Sequence, residues 1–94
     1  IALFLSYLFG DEPIHLSSIY WRDDDMTQQI GLSHLFLVAH GDKPVYTLIS
    51  NRTFSAGEEF ASILQTRQRA CVLGDKTAGG AHPGASYRLA PHFE

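Results

Sequence analysis

Two short apolar β-runs, "PVYTLIS" (44–50) and "ACVLG" (70–74), flank a single helical pattern, and that order constrains the fold more than anything else in the chain. Between them, residues 56–68 place Phe60, Ile63 and Leu64 at i, i+3, i+4 spacing, leaving Glu58, Glu59, Gln65 and Arg67 to face water. Strands without polar alternation, joined by a helix, predict an adjacent parallel pair covered on both faces. The crossover is expected to be right-handed, and Pro44 suits the edge of the first run. The class is therefore α/β, with a parallel strand–helix–strand core. In such folds ligands bind outside the carboxyl ends of the strands.

"TFSAGEEF" (53–60) stands at that place. Ser55 with Glu58 three residues on is an S-x-x-E capping box, which pairs free amides at a helix start reciprocally. The same geometry serves a nucleophile. The amides of Ala56 and Gly57, with the positive end of the helix dipole, are oriented to receive an oxyanion. Gly57 leaves room for a substrate backbone. "TFSAG" keeps the glycine two after the serine in G-x-S-x-G but has Thr53 two before it. Local sequence leaves both readings open.

Composition narrows the partners. Seven Lys+Arg against ten Asp+Glu give no basic stripe, which argues against nucleic acid. "IALFLSYLF" at the start is too short to span a bilayer, which needs about 20 residues, and lacks the basic leader of a signal peptide. Cys71, alone in the chain, excludes an internal disulfide, and its place in "ACVLG" predicts a buried small hydrophobe. At 94 residues the chain has room for one small domain. Residues 1–9 read as the last turns of a buried helix, with Gly10 as the stop. So apolar a helix needs cover on several sides, and "RLAPHFE" ends without a cap. The expectation is a partial domain of something larger.

Elsewhere, "IHLSSIYWR" (14–22) reads as a strand and Asp23, Asp24 and Asp25 as an acidic turn without calcium-loop spacing. Residues 26–40 are the least legible, since "LSHLFLVAH" fits a strand or a helical turn. "DKTAGGAHPG" (75–84) is a glycine-rich loop, and "ASYRLA" reads as a final strand. His15, His34, His40, His82 and His92 show no H-x-x-x-H or comparable spacing, so neither a metal nor another cofactor is expected. Asn51-Arg52-Thr53 is a formal glycosylation sequon, but a glycan so near Ser55 would crowd it.

The longer stretch "PVYTLISNRTFSAGEEFASILQTRQRACVLGDKTAGGAHPG" resembles the core of the tail-specific (C-terminal-processing) serine peptidase family. The nearest branch is the one with tricorn-like peptidases and the modules of interphotoreceptor retinoid-binding protein. The likeness is dense over residues 42–84 and continues more weakly through "YLFGDEPIHLSSIYWRDDDMTQQ". It implies a ClpP/crotonase-like αβ domain with Ser55 in the nucleophile position and the Ala56 amide as one oxyanion donor. The family's second donor comes from a glycine-rich segment absent here. The processing branch carries a lysine base 25 positions after the serine, where this sequence has Gly80. The tricorn-like branch uses a histidine far upstream and an acidic group downstream, both outside these residues.

Among local candidates for a base, His82 in the glycine-rich loop is the best placed, although a loop histidine that only bonds backbone is the favoured reading. Gly79 and Gly80 are possible loop contacts, and Lys76 is a turn residue. The expected function is a serine endopeptidase acting on a peptide or protein through an acyl-enzyme on Ser55. The rival is a non-catalytic module for hydrophobic ligands, of the retinoid-binding type, to which Gly80 in place of lysine is suited.

Overall fold

The computed structural model describes residues 1–9, 13–32, 42–80, 82–84 and 91. The expectations for Gly10, for most of "LSHLFLVAH", for a strand at 85–90, and for His34, His40 and His92 lie outside the described residues. The elements run α1 (Ala2–Ser6), β1 (Ile14–Trp21), β2 (Met26–Leu32), β3 (Tyr46–Ile49), α2 (Ala56–Thr66) and β4 (Cys71–Gly74). They form a small α/β arrangement of two helices and two two-stranded sheets.

β3 and β4 pair in parallel, from Tyr46 opposite Cys71 to Ile49 opposite Gly74, with α2 as the connection. This is the expected core, with the first strand two residues shorter at its start and one at its end, and the second one residue shorter at its start. One expectation fails. Thr47, Ile49 and Val72 are half-buried, but Tyr46 is 67% exposed, Leu48 79% and Leu73 47%. Among the described residues, then, only one face of the pair is covered. Cys71 pairs with Tyr46 on the open face and is exposed, not buried. An apolar run reveals that a strand has no polar face; it does not reveal which face finds a partner.

β1 and β2 form an antiparallel hairpin, with Ile14 opposite Leu32 and Trp21 opposite Met26, and a register shift between His15 and Ser17. The acidic triplet makes its turn: Asp25 takes a left-handed φ of 47° and accepts a hydrogen bond from the Tyr20 hydroxyl (2.8 Å). Aspartate tolerates that conformation better than most residues.

Leu5, Leu32, Ile63 and Leu64 form the buried cluster, joining α1, the hairpin and α2. Burying a leucine as completely as Leu64 contributes roughly 1.5–3 kcal/mol. The opening helix is only partly covered. Leu5 and Ser6 are buried, but Leu3 and Phe4 are exposed, against the expectation of a buried helix. Phe4 retains an edge contact with Phe60, their rings 5.8 Å apart.

α2 ends in a Schellman arrangement. Gln68 takes a φ of 53°, its amide donates to the Gln65 carbonyl (2.9 Å), and the Arg69 amide reaches back to Leu64 (2.8 Å). The Arg67 and Arg69 guanidinium groups then donate to the carbonyls of His15 and Leu8. Arg67 thus ties the end of α2 to the hairpin instead of only facing water.

Candidate active site

The chain leaves β3 through a tight turn. The Thr53 amide donates to the Ser50 carbonyl (2.9 Å), and the Ser50 amide to Thr53 Oγ1 (3.0 Å). Phe54 follows, then Ser55 at the first residue before α2. Ser55 has φ 53° and ψ −120°, a left-handed backbone that a residue with a Cβ rarely enters. Such torsions cost about 1–3 kcal/mol and collect at functional sites. An ordinary N-cap residue sits in the extended region instead.

The capping box is divided unequally. The Glu58 carboxylate accepts the Ser55 amide (Oε2, 2.8 Å), and the Ser55 side chain approaches the Glu58 amide. That amide, however, bonds to the Ser55 carbonyl (2.8 Å), and the hydroxyl makes no cap hydrogen bond of its own. Capping here is performed by backbone and glutamate. The Gly57 amide is committed to the Phe54 carbonyl (3.1 Å), whereas the Ala56 amide has no acceptor among the described residues.

The loop after β4 lies against this turn. The Ala78 amide donates to the Thr53 carbonyl (3.0 Å). The Gly79 amide donates to Glu58 Oε1 (2.7 Å) and the Gly80 amide to Glu58 Oε2 (2.8 Å). A hydrogen bond from the Thr77 side chain, chiefly, holds the Glu58 carboxyl below its usual range. Partial burial opposes this, while the Gly79, Gly80 and Ser55 amides reinforce it. Glu58 was expected to face water. Its helix-start role was legible in the S-x-x-E spacing, but its bonds to a loop 21 residues away were not.

The depressed pKa carries a sign. The ionised form is the one the fold favours, so this contribution is complete above the ordinary carboxyl value of 4.5 and is lost as pH falls through the lower folded value. Glu58→Gln is expected to flatten the fall of stability with acid below about pH 4.5, as read from unfolding midpoints across pH.

Gly80 occupies the position where the processing branch of the resemblance has lysine. A Cβ there would meet Phe54 Cε2 at 2.0 Å and Cζ at 2.3 Å. Phe54 is 59% exposed and can swing away only by giving up its seat on the loop. Gly80→Lys is therefore expected to lower stability by about 1–3 kcal/mol, without gaining peptidase activity. Thermal unfolding of Gly80→Lys beside Gly80→Lys/Phe54→Ala checks the cause, since the second change should recover part of the loss.

A cleft of about 410 Å³ opens beside the turn. Ser55, Ala56, Glu58, Glu59, Ser62 and His82 line one part of it, and Leu16, Ile19, Ile63 and Pro83 supply apolar surface. Glu59 is held by the Ser17 hydroxyl (2.8 Å), which pins the hairpin to α2. His82 is exposed at the cleft, while Lys76 is exposed elsewhere in the loop and lines none of it. His15 bonds to Ser18 on the hairpin (2.8 Å). Among the described residues no group of three or more His, Cys, Asp or Glu is placed to hold a metal ion, and no helix is long and apolar enough to cross a membrane.

A serine on a strained strand-to-helix turn, at a cleft and braced by a glycine-rich loop, has a geometry similar to the nucleophile elbow of serine hydrolases. Residues 11–92 match the model of peptidase family S41. The chain belongs to that family of serine peptidases, whose substrates are peptides or proteins.

Proposed function

We propose that Ser55 is the nucleophile of a serine endopeptidase built on a ClpP/crotonase-like domain. The observation that carries this reading is the Ser55 backbone at φ 53° and ψ −120°, a conformation that a helix cap does not require. Strain that capping does not call for is best explained by what the side chain does chemically.

In the proposed reaction Ser55 Oγ attacks the scissile carbonyl carbon and passes its proton to a general base. The Ala56 amide holds the resulting oxyanion, and Gly57 leaves space for the substrate backbone. The base then protonates the amine as the C–N bond breaks, leaving an ester on Ser55 that water hydrolyses. In this proposal the base and the second oxyanion donor come from segments outside these 94 residues. Gly79, Gly80 and His82 serve as loop contacts to the substrate. No metal or other cofactor enters this chemistry.

The apolar cleft lining of Leu16, Ile19, Ile63 and Pro83 favours one alternative, a non-catalytic module that holds a hydrophobic ligand. Incubating the full-length protein with a fluorophosphonate and with a peptide library separates the two. Labelling with hydrolysis supports the peptidase; tight binding of an apolar ligand without either supports the module.

A further inference from the structure

The glycine-rich loop and the Ser55 turn come from opposite ends of the crossover, yet one carboxylate serves both. We propose that Glu58 is a positioning residue that locks the loop onto the turn and keeps the serine in its strained geometry; this rests on Ser55 being the nucleophile.

Both oxygens of Glu58 are employed. Oε2 takes the Ser55 and Gly80 amides, each at 2.8 Å, and Oε1 takes the Gly79 amide at 2.7 Å. A helix cap requires only the first of these. The other two hold a loop whose remaining ties to the turn, among the described residues, are the Ala78 amide on the Thr53 carbonyl and the contact of Gly80 with Phe54. Gly79, at φ 83° with nothing near its Cβ position, gains no side-chain packing of its own. The carboxylate therefore holds the part of the loop with the fewest other anchors.

The chemistry of the group is specific. Glutamine is nearly isosteric, but it has one acceptor oxygen, and its NH₂ would face the Gly79 or Gly80 amide donor to donor. Aspartate keeps the charge but is one methylene too short to reach the loop and the Ser55 amide together. Glu58→Gln is thus the selective change: with its oxygen in the Oε2 place it keeps the Ser55 and Gly80 amides, while its NH₂ is set against the Gly79 amide and loosens the loop there.

The test uses the full-length protein and its Glu58→Gln variant, comparing amide hydrogen exchange at Gly79 and Gly80, fluorophosphonate labelling of Ser55, and peptide kinetics. The expected result is exchange at Gly79 at least tenfold faster, with a smaller rise at Gly80. Labelling and kcat should be about 10- to 100-fold slower with KM little changed, as for a misplacement of about 1 Å. Exchange within twofold of wild type overturns the proposal, as does a released loop with labelling unchanged. Should Glu58→Gln not fold, Thr77→Val removes one bond to the carboxylate without touching the helix. It is expected to shift the same readings in the same direction by a smaller factor, and no shift overturns the proposal. A wild-type protein that takes no label at Ser55 fails the nucleophile assignment alone, and glycine exchange still decides whether Glu58 holds the loop.

Discussion

Ser55→Ala in the full-length protein is expected to abolish peptide hydrolysis, by about 10⁴-fold or more, while the fold survives. Removing a serine nucleophile alone costs most of a serine peptidase's rate, because the remaining groups act only through it. The stability cost should lie at or below about 0.5–1 kcal/mol, the low end for a lost cap. The reason is geometric: the Glu58 amide bonds the Ser55 carbonyl and the Glu58 carboxylate takes the Ser55 amide, so the hydroxyl has only a small share of the capping. Ser55→Asp should be equally inactive, although aspartate is a good cap. Ser55→Gly makes the sharper contrast. Glycine accepts φ 53° without steric cost, so this variant is expected to be inactive yet about 1 kcal/mol more stable than wild type. Peptide hydrolysis and denaturant unfolding, measured on the same samples, check both halves.

The largest effect on stability is expected from Gly74→Ala. Gly74 ends β4 at φ 128°, and a Cβ there would stand 1.8 Å from the Ile49 carbonyl oxygen and 2.9 Å from its carbon. Those are backbone atoms of the neighbouring strand, which cannot turn aside as a side chain can. The substitution must break the Ile49–Gly74 end of the parallel pair or force the chain out of its conformation. A loss of about 3 kcal/mol or more is expected, combining torsional strain with overpacking. Because the next residues enter the loop that Glu58 holds, activity should fall with stability. A denaturant midpoint for Gly74→Ala within error of wild type would show that β3 and β4 do not approach as described.

The parallel core was legible because neither run has a polar face, so the stretches at 44–50 and 70–74 stand out as strands although, among the described residues, one face of the pair stays open. The hairpin was legible only by half. The first strand and the acidic turn could be read, but "MTQQIGL" carries no apolar run to mark the second strand. Cys71 was misplaced for a related reason: the apolar character of "ACVLG" reports what a strand can bury, and the partner that decides it lies elsewhere. Ser55 posed a different difficulty. Cap and nucleophile require the same residue types at the same spacing, and a backbone torsion distinguishes them. The loop bonds of Glu58 could not be read at all, since they depend on where residues 79 and 80 are carried by the fold.

The central claim is that the Ser55 hydroxyl attacks substrate. The most direct measurement is mass-spectrometric mapping of the full-length protein after reaction with a fluorophosphonate. A single adduct is expected on the peptide containing "TFSAGEEF", assigned to Ser55 by fragmentation and absent from folded Ser55→Ala. Active, hydrolysing protein whose adduct maps to another residue, or which still hydrolyses peptide as folded Ser55→Ala, would contradict it.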